Sequence, residues 1–252
     1  MIEADKVMAK YDFRRIRLHV EAPLYEGALV TLNKSQAHYL NTVLRLKSND
    51  RVLVFNGCDG EWDAAIEVQR RATVLHVGSK TRAQTEPTDL HYLFAPLKAA
   101  RLDYMVQKAV EMGVSRLQPV LTRHGQVARV NSSRMRANAI EAAEQCGILT
   151  LPEISEPAAL AQIVADDRGR TLIFCDEDAE LANPVAALGA VPPRSPLSLL
   201  IGPEGGFAED ERSALLKLPN VVRLALGPRI LRADTAAVAA LALVQAVLGD
   251  WR

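Results

Sequence analysis

The sequence predicts an α/β fold in two domains, a small β-barrel over residues 1–78 and a larger parallel-sheet domain over residues 79–252. Three observations carry that prediction. Short strand-like segments separated by Gly, Asn and Asp fill the first seventy to eighty residues; beyond residue 90 apolar runs alternate with amphipathic helices; and the polar stretch SKTRAQTEPTD, residues 79–89, separates the two patterns.

In the first domain the strands are RRIRLHV, GALVTL, RVLVFNG, EWDAAIEV and ATVLHVG. Each is rich in β-branched and apolar residues, which suits a pleated surface packed on a core. One helix interrupts them, SQAHYLNTVLRL, with Ser35 as the expected N-cap and Leu40, Val43 and Leu44 as its inward face. NGCDG, residues 56–60, supplies a hairpin turn because Asn, Asp and Gly tolerate positive φ.

In the second domain LHYLFAPL, RLQPVLT, TLIFCDE, LSLLIG and VVRLAL read as strands. Between them, RLDYMVQKAVEMG sets Leu102, Met105, Val106, Ala109 and Val110 on one helical stripe and stops at Gly113, and SSRMRANAIEAAEQCG stops at Gly147. The last helix, Ala236 to Leu248, has Gln245 as its sole polar side chain and is expected to be buried on all sides, as at a dimer interface. Strands alternating with helices imply a parallel sheet, and such sheets bind ligands beyond the carboxyl ends of their strands.

An apolar fraction of 49% is ample for buried cores, and with Lys plus Arg and Asp plus Glu both at 30 the total charge demands neither nucleic acid nor membrane. Residues 1–150 carry 21 basic and 16 acidic side chains and residues 151–252 carry 9 and 14, a mild basic bias at the front that is compatible with RNA. Cys58, Cys146 and Cys175 lack any ligand-like spacing, so neither a metal site nor a disulfide framework is expected. The amino terminus does not read as a signal peptide and the longest apolar segment is short for a bilayer, so a cytoplasmic protein is expected.

Two strand-to-helix loops stand out. IGPEGGF, residues 201–207, lacks both the GK[ST] ending of a phosphate-cradling loop and the GxGxxG spacing, and Glu204 would repel a bare phosphate, which leaves an uncharged or cationic ligand. LGPRILRADT, residues 226–235, sets Arg229 and Arg232 around the apolar pair Ile230 and Leu231, then Asp234 and Thr235 where a helix begins. Either Asp234 or Thr235 suits the N-cap of that helix; the arginines are either solvated loop charges or contacts for an anionic substrate such as RNA phosphate.

GPEGGF together with LGPRILRADTAAVAAL resembles the signature of the ribosomal RNA small subunit methyltransferase E family, within the SPOUT class of S-adenosylmethionine-dependent enzymes. HYLNTVLRLKSNDRVLVFNG resembles the PUA-like barrel of that family, and LDYMVQKAVEMGVSRLQPVLTRHGQV and IEAAEQCG resemble its middle segments. The resemblance implies a trefoil-knotted α/β domain acting as a homodimer, with S-adenosylmethionine as cofactor and N3 of a uridine in 16S ribosomal RNA, free or in the small subunit, as methyl acceptor. By position, Leu200, Gly202, Pro203, Glu204 and Gly205 would form one wall of the cofactor pocket and Leu226, Gly227, Ile230 and Leu231 another. Arg232 and Asp234 would be catalytic, Arg232 by stabilising the uridine anion, and Arg229 would contact RNA. The chain departs from the pattern at Asp234, where Glu is usual, at Ala208, where Ser opens a capping box ending at Glu211, and at Asn49, which replaces a turn glycine.

For the first domain the resemblance implies RNA recognition, with Arg14, Arg15, Arg17, Arg45 and Lys47 as the candidates; Arg15 and Arg17 share one strand face by the period of two. Taken singly, each also fits a solvated strand charge. His19, His76 and His91 fit structural roles in strands, and His124 lies in a loop at a strand end. Rival readings are a methyltransferase acting on a ribose hydroxyl and a non-catalytic RNA-binding assembly factor; a dinucleotide oxidoreductase fails on the missing GxGxxG.

Overall fold

The computed structural model describes residues 15–127, 129–166, 169–179 and 183–251; Arg14 lies outside them. Two compact units divide the chain. One takes the described residues up to Glu86 together with Ala143–Thr150, and the other takes Pro87–Ala142 and the described residues from Leu151 onward.

The first unit contains strands β1 (Arg17–His19) and β2 (Leu29–Thr31), helix α1 (Lys34–His38), and strands β3 (Arg51–Phe55), β4 (Glu61–Val68) and β5 (Thr73–Arg82). They form one five-stranded sheet in the order β1-β3-β4-β5-β2, antiparallel except for the β1–β3 pair. β5 runs on through the position at which the sequence suggested a domain boundary. The turn 56–60 joins β3 to β4, with Gly57 and Gly60 at φ of 88° and 84°. At Gly60 a Cβ would lie 2.4 Å from the Arg82 carbonyl oxygen, so close approach as well as φ requires glycine there. Asn49 takes φ 75°, the conformation expected of a residue standing in for a turn glycine.

Pleating sorts the side chains of this sheet. Leu18, Val30, Val52, Val54, Ala64, Ile66, Leu75 and Val77 pack into one core with Leu40. The opposite face carries the cross-strand sets Arg17, Leu53 and Asp63, and His19, Phe55 and Glu61. That face is buried too. The returning segment Ala143–Thr150 is tied to these strands: the His19 N–H donates to Glu144 Oε1 at 2.8 Å, and Arg82 Nη2 donates to the Gly147 carbonyl at 3.0 Å.

The helix of this unit starts two residues earlier than expected. Asn33, not Ser35, is its N-cap: Asn33 Oδ1 accepts the Gln36 N–H at 2.9 Å and Gln36 Oε1 accepts the Asn33 N–H at 3.1 Å, while the Ser35 hydroxyl donates to Asn33 Oδ1. After α1 the chain widens into a π-helical turn, Tyr39–Val43. The wider turn breaks the 3.6-residue register, so Leu40 is buried and Val43, expected beside it, is 57% exposed.

The second unit contains β6 (Leu90–Phe94), α2 (Ala99–Glu111), β7 (Arg116–Leu121), α3 (Ser132–Cys146, whose last residues belong to the first unit), β8 (Glu153–Ile154), β9 (Ala158–Ala159), α4 (Leu160–Asp166), β10 (Thr171–Cys175), α5 (Pro184–Gly189), β11 (Leu197–Ile201), α6 (Glu209–Leu216), β12 (Val221–Leu224) and α7 (Ala233–Val247). Its sheet is parallel, in the order β12-β10-β11-β6-β7-β8, with β9 pairing β7. The stripe expected on α2 is buried, and Gly113 ends the helix at φ 74°. On one side of the sheet Leu93, Val120, Phe174 and Leu200 pack against Leu160, Ile163 and Leu215 from α4 and α6.

Its own chain does not enclose α7 on all sides. Ala237, Ala240, Leu241 and Val244 are buried, whereas Val238, Ala239, Ala242 and Leu243 are half-buried and Ala246 is exposed. Gln245, the one polar side chain in the helix after Thr235, is buried with Nε2 donating to the Met112 carbonyl.

Candidate cofactor and substrate site

The strand order places β10 between β11 and β12, so the loops after β11 and β12 rise on either side of the carboxyl end of β10. The loop after β11 is shaped by its glycines. A Cβ on Gly202 would lie 2.5 Å from Phe207 Cε2, so only glycine lets the Phe207 ring fold back, where it meets Phe174 of β10 edge to face at 5.3 Å. Gly206 takes φ 71° and donates its N–H to the Pro203 carbonyl at 3.0 Å, closing the turn. A Cβ on Gly206 would stand 3.1 Å from Glu177 Oε1, which puts that carboxylate beside the loop. Leu200, by contrast, has its side chain in the core, so what it can offer to a pocket is its backbone.

Ala208 is the N-cap of α6 and has no side-chain oxygen to cap with. The Glu211 carboxylate supplies what remains of the motif: Oε2 accepts the Ala208 N–H at 3.0 Å and Oε1 accepts the Arg123 N–H at 2.9 Å. Arg123 Nη2 also reaches Asp210 Oδ2 at 2.6 Å, so the loop after β7 is held to the first turn of α6. His124 in that loop lies against Gly205. Glu204 pairs with Arg101 of α2. That partner is 103 residues away in sequence.

The loop after β12 has the opposite character. Leu226 and Leu231 are half-buried, Gly227 takes φ 94°, and Arg229 and Arg232 are exposed. Ile230 is 90% exposed, an apolar side chain with its face open. Neither Asp234 nor Thr235 is the N-cap of α7; that place falls to Arg232, whose side chain makes no capping bond. Asp234 sits in the first turn, where Oδ1 accepts the Thr235 N–H at 2.9 Å. It is also within electrostatic reach of Tyr92 on β6, a phenol that burial pushes well above its ordinary pKa with added help from Cys175 and Asp234.

Beneath these loops lies a charge cluster around one buried carboxylate, which the sequence alone did not suggest. Asp176, just past β10, accepts from Arg212 Nη2 of α6 at 3.0 Å and from Arg223 Nε of β12 at 2.8 Å. Burial would raise its carboxyl, but the hydrogen bonds from Arg212 and Arg223 outweigh that and hold it below the ordinary value. One carboxylate thereby ties β10, α6 and β12 together at the edge where the loops emerge.

The arginines expected to meet RNA divide. Arg45 and Lys47 are exposed, Arg45 with φ 57°. Arg15 pairs with Asp63, which Arg51 also engages. Arg17 cannot serve as an RNA contact: it is 6% exposed, and Nε donates to Glu61 Oε2 at 2.9 Å. Arg15 lies ahead of β1, so the two do not share a strand face as expected, and the face that Arg17 occupies is the covered one. Glu61 also accepts from Arg82 and Thr81; burial raises its carboxyl, and these bonds with that from Arg17 bring it below the ordinary range. Of the histidines, His19 is buried against Phe55 and His76 Nε2 meets Glu67 Oε2 at 2.5 Å.

A parallel α/β sheet with two unlike loops flanking one strand end, joined to a five-stranded β unit, is matched by two family models. An RNA methyltransferase domain covers residues 84–245 and an RNA methyltransferase PUA domain covers residues 32–74. Ribosomal RNA small subunit methyltransferase E of Rickettsia conorii is 31% identical over 231 residues, covering 91% of this chain and 94% of that protein. Among solved structures, a Legionella pneumophila chain in complex with the cofactor SAM (30% identity, TM-score 0.80) covers 92% of this chain and 98% of its own. Ribosomal RNA small subunit methyltransferase E of Neisseria gonorrhoeae, bound to S-adenosyl methionine, is 26% identical with a TM-score of 0.80 and covers 94% and 100%. The chain therefore belongs to the ribosomal RNA small subunit methyltransferase E family of RNA methyltransferases.

Proposed function

We propose that this protein methylates N3 of a specific uridine in 16S ribosomal RNA, with S-adenosylmethionine as methyl donor. The observation that carries the reading is the pair of loops flanking β10, one built of glycines that bring backbone close and one presenting Leu226, Ile230 and Leu231, in a chain of this family. That combination fits the cofactor. Backbone groups of Gly202, Pro203 and Gly205 are suited to an adenine edge, the apolar side chains to covering its ring, and Glu177 offers a carboxylate beside them. S-adenosylmethionine supplies, when bound, a methyl group on a sulfonium.

The chain's own part is positioning and charge. Arg232, exposed at the start of α7, would stabilise negative charge developing on the uracil, and Arg229 would hold RNA phosphate. Asp234 is kept in this reading as a positioning group, since its carboxylate is engaged with the Thr235 N–H. We further infer a trefoil-knotted SPOUT domain, a cytoplasmic homodimer that covers the half-buried side of α7, and RNA contacts through Arg45 and Lys47. Nucleoside mass analysis of ribosomal RNA from cells with and without the gene tests the activity. Loss of N3-methyluridine in the deletion strain is the expected result, and its persistence, or loss of a ribose-methylated nucleoside instead, refutes the reading.

A further inference from the structure

The glycine loop after β11 has a second side. Away from β10, the neighbour of β11 in the sheet is β6, and beyond β6 lies β7. The loops leaving these three strands enclose a cleft of about 100 Å³ lined by Pro96, Leu97, Lys98, Arg101, Gln126, Pro203 and Glu204. At roughly 15 Å³ for each water, that is the space of several waters, the scale of one heterocyclic ring rather than a whole nucleotide.

Its chemistry is ordered. Pro96, Leu97 and Pro203 are apolar surfaces; Lys98 and Arg101 are donors only; Gln126 offers a donor and an acceptor; Glu204 is an acceptor only. The Arg101 guanidinium engages Glu204 Oε1, so the carboxylate is held at the cleft by a residue in the first helical turn after β6. A carboxylate acceptor that shares its lining with cationic donors complements an imide edge, in which one N–H lies between two carbonyl oxygens. Uracil has that edge. Cytosine presents a bare N3 acceptor instead, which would face the carboxylate and be repelled.

We propose that this cleft receives the base of the acceptor uridine and that Glu204, positioned by Arg101, is the general base that takes the N3 proton. The proposal rests on the uridine-N3 reading above. The N3 proton passes to a Glu204 carboxylate oxygen, and the electron pair left on N3 forms the bond to the methyl carbon. The carbon–sulfur pair stays with sulfur, giving a neutral thioether, and Glu204 afterwards releases the proton to water. Lys98 and Arg101 offset the charge that gathers on the uracil oxygens during the transfer. Glu204 thus belongs to the acceptor side of its loop and not to the cofactor wall.

The test pairs single-turnover methylation of small ribosomal subunits from a gene-deletion strain with calorimetric binding of S-adenosylmethionine to the free protein. Glu204→Gln is expected to slow N3-methyluridine formation at least about 100-fold at saturating donor and subunit. Its affinity for S-adenosylmethionine should stay within about threefold of wild type. The residual rate of this variant should climb as pH rises, because the proton must then leave to solvent. Arg101→Ala should show the same separation of rate from cofactor affinity, and Arg101→Lys should recover part of the rate. A Glu204→Gln rate within about threefold of wild type overturns the proposal, as does a tenfold loss of cofactor affinity with the saturated rate intact. Wild-type protein that forms no N3-methyluridine overturns the functional reading and the proposal with it; an active wild type beside an equally active Glu204→Gln overturns the proposal alone.

Discussion

Arg212 and Asp176 form a paired contact, Nε to Oδ1 at 3.2 Å and Nη2 to Oδ2 at 3.0 Å, that fastens α6 to the carboxyl end of strand β10. Because the carboxylate is nearly inaccessible and Arg223 bonds it as well, removing its charge takes the shared buried partner from two guanidinium groups. Asp176→Asn should lower stability by about 3–5 kcal/mol, the range for breaking a buried pair. The effect depends on pH in a defined sense. The folded-state carboxyl lies below its ordinary 3.8, so its stabilisation is present above that value and is lost as pH falls through the depressed one. Urea unfolding of both proteins at neutral pH and near pH 3 should therefore show the gap narrowing in acid.

RNA affinity should separate the two classes of arginine in the first unit. Neutralising Arg45 and Lys47 together removes two exposed charges and should reduce the salt slope of RNA binding by roughly one to two. Replacing the buried Arg17 by Met leaves Glu61 paired with Arg82 and removes a charge that RNA does not reach, and should leave that slope unchanged. Filter binding across a salt series measures both.

Gly202→Ala places a methyl group in the Phe207 ring. Phe207 would have to leave its packing on Phe174, at a cost of about 1–3 kcal/mol, and the loop would lose its shape. Calorimetry should show S-adenosylmethionine affinity falling by about tenfold or more. An affinity unchanged in a folded variant would separate this loop from the cofactor.

Ala208→Ser restores a hydroxyl at the N-cap of α6, where the backbone is already extended and Glu211 already makes the reciprocal bond. The gain should be about 0.5–1 kcal/mol. For a chain of this size that corresponds to a melting temperature higher by roughly 1–4 °C, which a thermal unfolding scan resolves.

The parallel sheet was legible because its strands are apolar runs closed by turn residues and its helices carry stripes such as Leu102, Met105, Val106, Ala109 and Val110, all local patterns. What stayed hidden depends on distant partners. Arg17 looks like a surface charge until Glu61, 44 residues on, is folded against it, and Glu204 looks unpartnered until α2 brings Arg101. The Asp176 cluster joins residues 36 and 47 positions apart. Other misses were local but governed by competition. Asn33 outcompetes Ser35 as a cap because Gln36 completes a reciprocal box with it, and the π-helical turn that exposes Val43 leaves no mark in a 3.6-residue pattern.

The return of Ala143–Thr150 to the first unit makes the chain cross between its two units three times, at 86/87, at 142/143 and at 150/151. The β unit is therefore not a cassette hung on a single tether. A fragment ending at Glu86 would leave the Arg82 guanidinium without the Gly147 carbonyl and the His19 amide without Glu144. Grafting this unit onto another enzyme would require transplanting a piece of α3 with it, which ties any exchange of this unit between relatives to sequence in the middle of the methyltransferase domain.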